Sequence, residues 1–385
     1  MRILIAHSFY RLPGGENHYV RQQVDLLRAN HEVELLEFDN EGLGGNAKTA
    51  AQMTYSRRRS REVGKVLDDY RPDLVHMHNV YPAAGPAVHL ATSKKRIPLV
   101  MTVHNFRLRC PNAYMFTEGE PCTRCEGGMY AHAALHHCFP TRGQATAYAG
   151  ALWVHRFILK LERKVSVFVT PSEFMRQKVI SWGLPADRVE MVRNFTAHRP
   201  DATTDPGTFG ISVGRLSSEK GLDQLLAALQ VAGDPPFKIV GDGPLFEDLV
   251  AEAKRLELQN TEFVGRISNQ EVQAMLPKAR FLAMPSICHE NAPLAVLEAM
   301  AAGRPLLVNR MGGLPELVES GAGLSYEWGD IDRAAQHIRT LMQDDELCRR
   351  FGKAALAFSI QELNAEKHAE GLEKAYGSAM QSLIK

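Results

Sequence analysis

Two glutamates on either side of a proline are the residues of this 385-residue chain best suited by type and spacing to bind a ligand. Glu290 and Glu298 lie eight positions apart in "ENAPLAVLE", and Pro293 suits the first turn of a helix, where its missing N–H costs nothing. Free N–H groups at such a helix start attract an anion. We therefore expect an anion site here, flanked by two carboxylates that can accept hydrogen bonds from hydroxyl groups.

A second motif, "GRLSSEKG" (214–221), places Arg215 and Lys220 directly after a predicted strand. Two cations five positions apart can neutralise a diphosphate as it departs. The glycine turns in "IVGDGP" (239–244) and "FVGRIS" (263–268) permit close backbone approach to a base or ribose. Each feature alone is equally typical of a surface loop. Together they indicate a ligand that is laid out as a ribose, a diphosphate and a sugar.

The elements that would position these residues alternate between strand and helix, which is typical of parallel sheets. The stretch 195–208 has no periodicity and separates two such series, so the sequence predicts two doubly wound α/β units. Ligands of such sheets bind beyond the carboxyl ends of the strands, and a cleft between the two units is the expected site. The predicted strands include 2–6, 32–38, 73–78, 98–104 and 165–172 before this linker, and "FGISVG", "FKIVG", "TEFVG", "RFLAMPS" and "RPLLVN" after it.

These motifs, in this order, resemble the family 4 retaining glycosyltransferases of the GT-B fold. "GG" at 14–15 and "TVHN" at 102–105 also match the loops of that family's first domain. The resemblance implies two facing Rossmann-like domains with a deep cleft. We expect an acceptor-side domain at 1–195, a linker at 196–208 and a nucleotide-sugar domain at 209–365. A terminal helix near 366–385 could pack back on the first domain.

The resemblance also implies roles for individual residues. Arg215 and Lys220 would bind the donor diphosphate, Glu298 the ribose hydroxyls, and Glu290 the donor sugar. His104 would face the transferred sugar. Together with Arg215, Lys220 and Glu290 it forms the expected catalytic set. Donor contacts are further expected at Gly15, Gly214, Gly243, Arg266, Ile267, Asn291, Ala292, Pro293 and Leu294.

The activity that the resemblance implies is sugar transfer from a UDP- or GDP-sugar to an acceptor hydroxyl, with retention by front-side attack. It requires no cofactor, and no D-x-D metal clamp is evident. Rival functions are a nucleotide-sugar epimerase or hydrolase, a phosphorylase and a non-catalytic sugar-binding protein. A phosphorylase would need a pyridoxal-phosphate lysine and a longer chain. An NAD-dependent oxidoreductase would need G-x-G-x-x-G after a strand, and neither "GDGPLF" nor "PGGENH" supplies it.

Four of the six cysteines, Cys110, Cys122, Cys125 and Cys138, lie close together in the sequence. The C-x2-C spacing of the middle pair fits a structural zinc site, with His132, His136 and His137 as spare ligands. A redox-sensitive pair and four unliganded thiols are the alternatives. We expect this segment to shape the acceptor pocket.

Charge is divided unequally along the chain. Residues 1–195 carry 26 Lys and Arg against 18 Asp and Glu, a net of +8, and the remainder carries 19 against 26, a net of −7. The basic cluster "YSRRRSREVGK" (55–65) and the apolar helix predicted at 145–162 favour a glycan or lipid-linked acceptor and peripheral contact with an anionic membrane. A solvated face and core packing are the simpler interpretations. With no apolar run of about 18 residues, we expect a cytoplasmic protein that binds no nucleic acid.

Overall fold

The computed structural model describes residues 1–9, 15–40, 47–197, 199 and 201–382, including all of their side chains except those of 47 and 48. The chain divides into two compact units. The first comprises Met1–Glu118, Cys122–Val192 and His368–Lys385. The second comprises Gly119–Pro121 and Arg193–Lys367.

The first unit is built on a parallel sheet. Its residues and the adjoining hairpin contain the strands β1 (Arg2–Phe9), β2 (Glu32–Asp39), β3 (Leu74–Met77), β4 (Leu99–Thr102), β5 (Phe116–Thr117), β6 (Glu120–Pro121), β7 (Val167–Thr170) and β8 (Val189–Met191). Six of them form the sheet in the order β2-β1-β3-β4-β7-β8, with every neighbour parallel. The central strands are short and buried on both faces, as expected where helices cover a parallel sheet.

Helices follow these strands where the sequence supplies start signals. Ser172, for example, precedes the helix Glu173–Ser181, and its Oγ accepts a hydrogen bond from the N–H of Met175 at 3.2 Å. The α-helices of this unit are Gly15–Arg28, Ala47–Thr54, Arg57–Tyr70, Ala87–Lys95, His132–Leu135, Arg142–Trp153, Glu173–Ser181 and, from His368 onward, most of Ala365–Gln381.

The apolar helix predicted at 145–162 differs from the observed one. It begins at Arg142, because the Thr141 side chain caps it by accepting from the N–H of Gln144. Its α-helical part ends at Trp153 and continues as a π-helical turn over Val154–Ile158. The change of pitch alters which side chains of this segment face outward.

The second unit repeats the architecture. Its strands are β9 (Phe209–Val213), β10 (Phe237–Val240), β11 (Thr261–Gly265), β12 (Ala279–Met284), β13 (Leu306–Asn309) and β14 (Gly323–Tyr326), in the parallel order β11-β10-β9-β12-β13-β14. Its α-helices are Leu222–Val231, Phe246–Arg255, Asn269–Met275, Leu294–Ala301, Leu314–Leu317, Ile331–Gln343 and Asp345–Glu362. The prediction of two parallel α/β sheets is confirmed.

The strand order of the second sheet locates its ligand crevice. From β9 the chain builds outward through β10 and β11, then returns to the other side of β9 with β12. The loops after β9 and β12 therefore leave the sheet in opposite directions and open a crevice at their carboxyl ends. These loops, at 214–221 and 285–293, contain seven of the twelve catalytic and donor-binding residues predicted in the second unit.

Within the described residues, no helix is both long enough and apolar enough to cross a membrane.

Candidate functional site

An ion pair joins the loops after β9 and β12. Lys220 Nζ lies 2.5 Å from Glu290 Oε1, and the Ser286 hydroxyl donates to the same carboxylate oxygen at 2.6 Å. The Lys220 side chain is 25% exposed and that of Glu290 is 12% exposed. Residues predicted to act on a diphosphate and on a sugar are therefore in direct contact at the edge of the crevice.

Both members of this pair are charged. Burial alone would lower the pKa of Lys220, but the adjacent Glu290 carboxylate outweighs it and raises that pKa above its usual range. Burial alone would raise the pKa of Glu290, but the Lys220 ammonium and the hydrogen bonds from Lys220 and Ser286 hold it below its usual range. The crevice edge thus contains a cation and an anion that are both charged.

Two glycines let these loops approach each other. Gly221 has φ +63°, and a Cβ on it would lie 2.4 Å from the Pro285 carbonyl oxygen. Gly312, after β13, also has φ +63°, and a Cβ there would lie 2.1 Å from the Glu290 carbonyl oxygen. The Gly313 N–H donates to that same carbonyl at 2.7 Å. The backbone of Glu290 is therefore held from the β13 side, a role for "GG" at 312–313 that sequence reasoning missed.

Glu298 lies on the helix Leu294–Ala301, as predicted, and is half-buried. Its Oε1 accepts from Asn269 Nδ2 at 3.1 Å, which ties it to the start of the helix Asn269–Met275. Burial raises the pKa of this carboxyl above its usual value, more than the Asn269 hydrogen bond lowers it. Pro293 is the residue before the helix rather than inside its first turn, with ψ 123°. The prediction was one residue early because Pro293 is extended.

Two predicted cations, Arg215 and Arg266, are exposed and make no side-chain hydrogen bond or ion pair with any described residue. Arg215 follows β9, and Arg266 follows β11. Ile267, beside Arg266, packs into the core under the helix Leu294–Ala301. Gly214 is exposed at the same edge of the sheet. The two arginines thus differ from Lys220, which already has a carboxylate partner.

Gly243 has a different environment from the one expected. A Cβ on it would lie 2.3 Å from the Leu216 carbonyl oxygen, and one on Gly241 would lie 1.8 Å from that of Gly214. The "VGDGP" turn therefore packs against the backbone of the "GRLSSEKG" loop, an approach that we had assigned to a base or ribose. These glycines hold the loop that carries Arg215 and Lys220.

The backbone from Asn291 to Leu294 leads from Glu290 into the helix. Asn291 is buried, and the Ala292 carbonyl accepts from Asn194 Nδ2 at 3.4 Å. Pro293 and Leu294 are half-buried. Their chain segment joins the loop after β12 to the helix Leu294–Ala301.

The first unit contains a cluster of histidines at the carboxyl ends of its strands. His104 follows β4 and His78 follows β3, and His78 Nδ1 lies 2.8 Å from His104 Nε2. His76 lies in β3, and its Nδ1 and Nε2 bond the Tyr376 hydroxyl at 2.8 Å and the Thr102 hydroxyl at 2.7 Å. Adjacent rings stack, with centroids 4.5 Å apart for His76 and His78 and 5.1 Å apart for His78 and His104.

Burial lowers the pKa values of these imidazoles. It brings His104 and His76 to about 3 and holds His78 well below its usual value, with further lowering from neighbouring histidines. The cluster is therefore neutral at physiological pH. Only His104 was a predicted site residue. The "HMH" spacing at 76–78 was the available signal for the others.

Gly15 is the exposed first residue of the helix Gly15–Arg28, while Gly14 lies outside the described residues. The structure therefore places Gly15 at a helix start.

The four clustered cysteines line one pocket together with His132 and His136. However, no group of three or more Cys, His, Asp or Glu side chains in the described chain is arranged to hold a metal ion. Two of the thiols have other partners: Cys110 Sγ lies 2.9 Å from Asn112 Oδ1, and Arg124 Nη1 lies 3.8 Å from Cys122 Sγ. Burial raises the pKa of Cys125 to about 12. The zinc prediction therefore gains no support.

Comparison with known families gives two matches that cover most of the chain. Residues 14–194 match a family described as "Glycosyl transferase 4-like domain", and residues 196–358 match "Glycosyl transferases group 1".

Among characterised relatives, a glycogen synthase of Mycobacterium tuberculosis is 27% identical over 353 residues, which covers 87% of this chain and 76% of that protein. A putative teichuronic acid biosynthesis glycosyltransferase of Bacillus subtilis is 27% identical over 319 residues, covering 82% of this chain and 73% of the relative. Among solved structures, Anabaena HepE in complex with UDP and glucose superposes with a TM-score of 0.72 at 18% identity, over 98% of this chain and 100% of that one. That likeness establishes the GT-B fold.

Proposed function

Because this chain belongs to the group 1 glycosyl transferases, of the family 4 type with the GT-B fold, we propose that it moves a sugar from a nucleoside diphosphate sugar to an acceptor hydroxyl with retention of configuration. The observation that supports this most directly is the Lys220–Glu290 pair at the switch point of the second sheet, 2.5 Å apart. The group classification alone does not specify a donor. The polar crevice and its exposed arginines do favour one that carries a diphosphate.

In this proposal Lys220 and Arg215 neutralise the diphosphate. An ammonium group has three N–H donors, so Lys220 can keep its bond to Glu290 and still donate to a phosphate oxygen. Arg215 is exposed and can add a bidentate contact. Arg266, on the neighbouring loop, is a second exposed guanidinium for the same ligand. Backbone groups of Asn291 to Leu294, Gly214 and Gly15 would line the donor.

The two glutamates bind hydroxyl groups on either side. Oε1 of the ionised Glu290 accepts hydrogen bonds from Lys220 and Ser286. This leaves Oε2 to accept a hydrogen bond from a hydroxyl of the donor sugar. Glu298, anchored by Asn269, accepts from the ribose. The solved complexes of HepE contain UDP, UDP and glucose, or UDP-glucose, which supports a nucleoside diphosphate sugar as the ligand class.

The transfer step requires no residue to form a covalent bond with the sugar. The bond between the anomeric carbon and the diphosphate oxygen breaks, and the acceptor oxygen bonds the anomeric carbon on the same face. The acceptor proton passes to the departing diphosphate oxygen. Arg215 and Lys220 stabilise the charge that develops there, and His104 donates a hydrogen bond to the transferred sugar.

Calorimetric titration with UDP, GDP, ADP and NAD tests the donor site. We expect micromolar affinity for one nucleoside diphosphate. Arg215→Ala and Glu298→Ala should each weaken it at least about tenfold, the effect of losing roughly 1.4 kcal/mol. Arg255→Ala is the matched control, since Arg255 only pairs with Glu252 on an exposed helix surface. Binding of NAD alone, or of no nucleotide, would overturn the proposal. Sugar release to water with every acceptor tried would instead indicate a hydrolase.

We also propose peripheral contact with an anionic membrane that presents a glycan or lipid-linked acceptor. His155 Nε2 lies 3.0 Å from the Thr54 carbonyl oxygen, which joins the apolar segment to the basic one. These two segments carry exposed aromatic and apolar side chains and exposed arginines: Tyr55, Trp153, Phe157 and Ile158, and Arg57, Arg58 and Arg61. Such a combination suits the headgroup region of an anionic bilayer.

Sedimentation with vesicles tests this contact. We expect binding to phosphatidylglycerol vesicles, little binding to phosphatidylcholine vesicles, and loss of binding in a Trp153→Ser, Ile158→Ser double variant. Ile360→Ser provides the control, because Ile360 is 58% exposed in the second unit. Equal binding by the double variant would contradict the proposal.

A further inference from the structure

The contact between His78 and His104 constrains where each ring carries its proton. The Nδ1 of His78 and the Nε2 of His104 are 2.8 Å apart, a hydrogen-bond distance. Both rings are neutral, so each has one N–H. One nitrogen of the pair must therefore be the donor and the other the acceptor.

The surroundings of His78 decide between the two arrangements. His78 is 1% exposed, and its Nε2 has no hydrogen-bond partner among the described residues. If His104 were the donor, the proton of His78 would lie on this buried Nε2 as an N–H without an acceptor. If His78 donates from Nδ1, only a lone pair is left without a partner. An orphaned buried N–H is rarer than an underused acceptor, so donation by His78 is favoured.

The His78 ring is also held in its plane. It stacks on His76 at an interplanar angle of 28°. His76 in turn cannot rotate freely, because both of its nitrogens are hydrogen-bonded, to Tyr376 and to Thr102. The donor of His78 is thus aimed at His104 by a chain of contacts that begins on the helix Ala365–Gln381.

We propose that His78 is a positioning residue that donates from Nδ1 to His104 Nε2 and so fixes His104 as the tautomer with its proton on Nδ1. His104 then presents an N–H from the edge of its ring away from His78. This inference rests on the role of His104 given under the proposed function, since only that role makes the tautomer matter for catalysis.

Nitrogen NMR of the histidine-labelled protein tests the tautomer directly, without any substrate. We expect His104 to be protonated on Nδ1 in the wild type. His78→Asn should preserve that state, because the Asn Nδ2 lies where His Nδ1 was and remains a donor. His78→Phe, which keeps a flat ring without a donor, should shift His104 partly to the Nε2 tautomer. Protonation of His104 on Nε2 in the wild type would overturn the proposal.

Kinetics separates positioning from general stability. His78→Phe should lower kcat by about 10- to 100-fold, the range typical of losing an outer hydrogen-bond partner, with the donor KM changed less than about threefold. His78→Asn should recover most of that loss. Tyr70→Phe serves as the control: it removes a first-unit hydroxyl that donates to the Glu32 carbonyl at 2.9 Å, outside the contacts that hold His78, so kcat should be unchanged. Equal losses of kcat in the Phe and Asn variants of His78 would contradict a positioning role.

The two readouts also distinguish which proposal fails. If no sugar transfer is detected but the tautomer pattern is as expected, the role assigned to His104 is wrong while the His78 contact is established. If transfer is detected but the tautomer does not respond to His78, the positioning proposal fails alone.

Discussion

Both units place polar side chains near the carboxyl ends of their strands, but the buried groups are charged in the second unit and neutral in the first. In the second unit Lys220 and Glu290 both remain charged, because each is the other's counter-ion. In the first unit burial and the neighbouring histidines lower the pKa values of His76 and His104 to about 3, so these rings lose their charge. A buried side chain stays charged only where an opposite charge lies beside it. Where none does, the imidazole rings are neutral, and the tautomer of each ring decides which nitrogen donates a hydrogen bond.

Acidification should reveal this difference most strongly. The folded-state pKa values of His76 and His104 are about 3 and that of His7 about 4, against 6.5 for an unperturbed histidine. Below pH 6.5 these histidines bind protons in the unfolded chain but not in the folded chain. The stabilisation is therefore complete above pH 6.5 and is lost as the pH falls toward the folded values. Each residue contributes a slope of about 1.4 kcal/mol per pH unit.

We therefore expect the free energy of unfolding of the first unit to fall by several kcal/mol between pH 7 and 5. The Lys220–Glu290 pair should contribute nothing to this change. The pKa of Glu290 lies below its ordinary value of 4.5, so its stabilisation is lost only at lower pH. Urea denaturation at pH 7, 6 and 5, followed by the fluorescence of Trp182 in a Trp153→Phe, Trp328→Phe variant, measures the slope in the first unit. A flat profile would mean that the histidines are not buried as neutral rings.

Removal of one charge from the pair should have the next largest effect. Lys220→Met leaves the Glu290 carboxylate mostly buried without its counter-ion, at a cost of about 2–3 kcal/mol. The cost is at the low end for a buried pair because a quarter of Lys220 remains accessible. The Lys220→Met, Glu290→Gln double variant should recover at least half of the lost free energy of unfolding, because it no longer buries an unpaired ion. A double variant as unstable as Lys220→Met would show that packing, not charge, holds these loops together.

A smaller effect is expected from the glycine that holds the Glu290 backbone. Gly312→Ala should cost about 2 kcal/mol, since a left-handed φ of +63° and a Cβ 2.1 Å from the Glu290 carbonyl oxygen are both unfavourable. Gly233→Ala is the matched control, with φ +92° and no atom within 4 Å of the added Cβ. It should cost only about 1 kcal/mol, the strain of the left-handed backbone. Thermal unfolding measures the loss of stability in each variant. Equal losses would show that the Glu290 backbone moves away from the added methyl group at little cost.

Much of this site could be predicted from sequence, and the rest depends on contacts between distant residues. Arg215, Lys220 and Glu290 lie in loops that follow strands, and Glu298 lies on the next helix. Local patterns were therefore sufficient to place them near one edge of a parallel sheet. The ion pair could not be predicted, because its members are 70 positions apart and both had been assigned to the ligand.

The histidine cluster was harder to predict. His78 and His104 are 26 positions apart, and the bond from His76 to Tyr376 spans 300. No local pattern distinguishes such histidines from ordinary loop residues. The environment of Gly243 was hard to predict for a related reason. A glycine in the sequence indicates that another group approaches its backbone closely, but it does not indicate whether that group belongs to a ligand or to the chain itself, as the Leu216 carbonyl does here.

The helix Ala365–Gln381 has a consequence for how the chain folds during synthesis. It supplies Tyr376 and His368 to the first unit, where His368 bonds Tyr19 and Gln23 from a helix near the beginning of the sequence. On the ribosome, these partners emerge only after every residue of the second unit. The part of the protein that is translated first is therefore the last to complete its core. Until the helix Ala365–Gln381 has emerged, His76 lacks its Tyr376 partner, and Tyr19 and Gln23 lack His368, whereas the second unit can already fold.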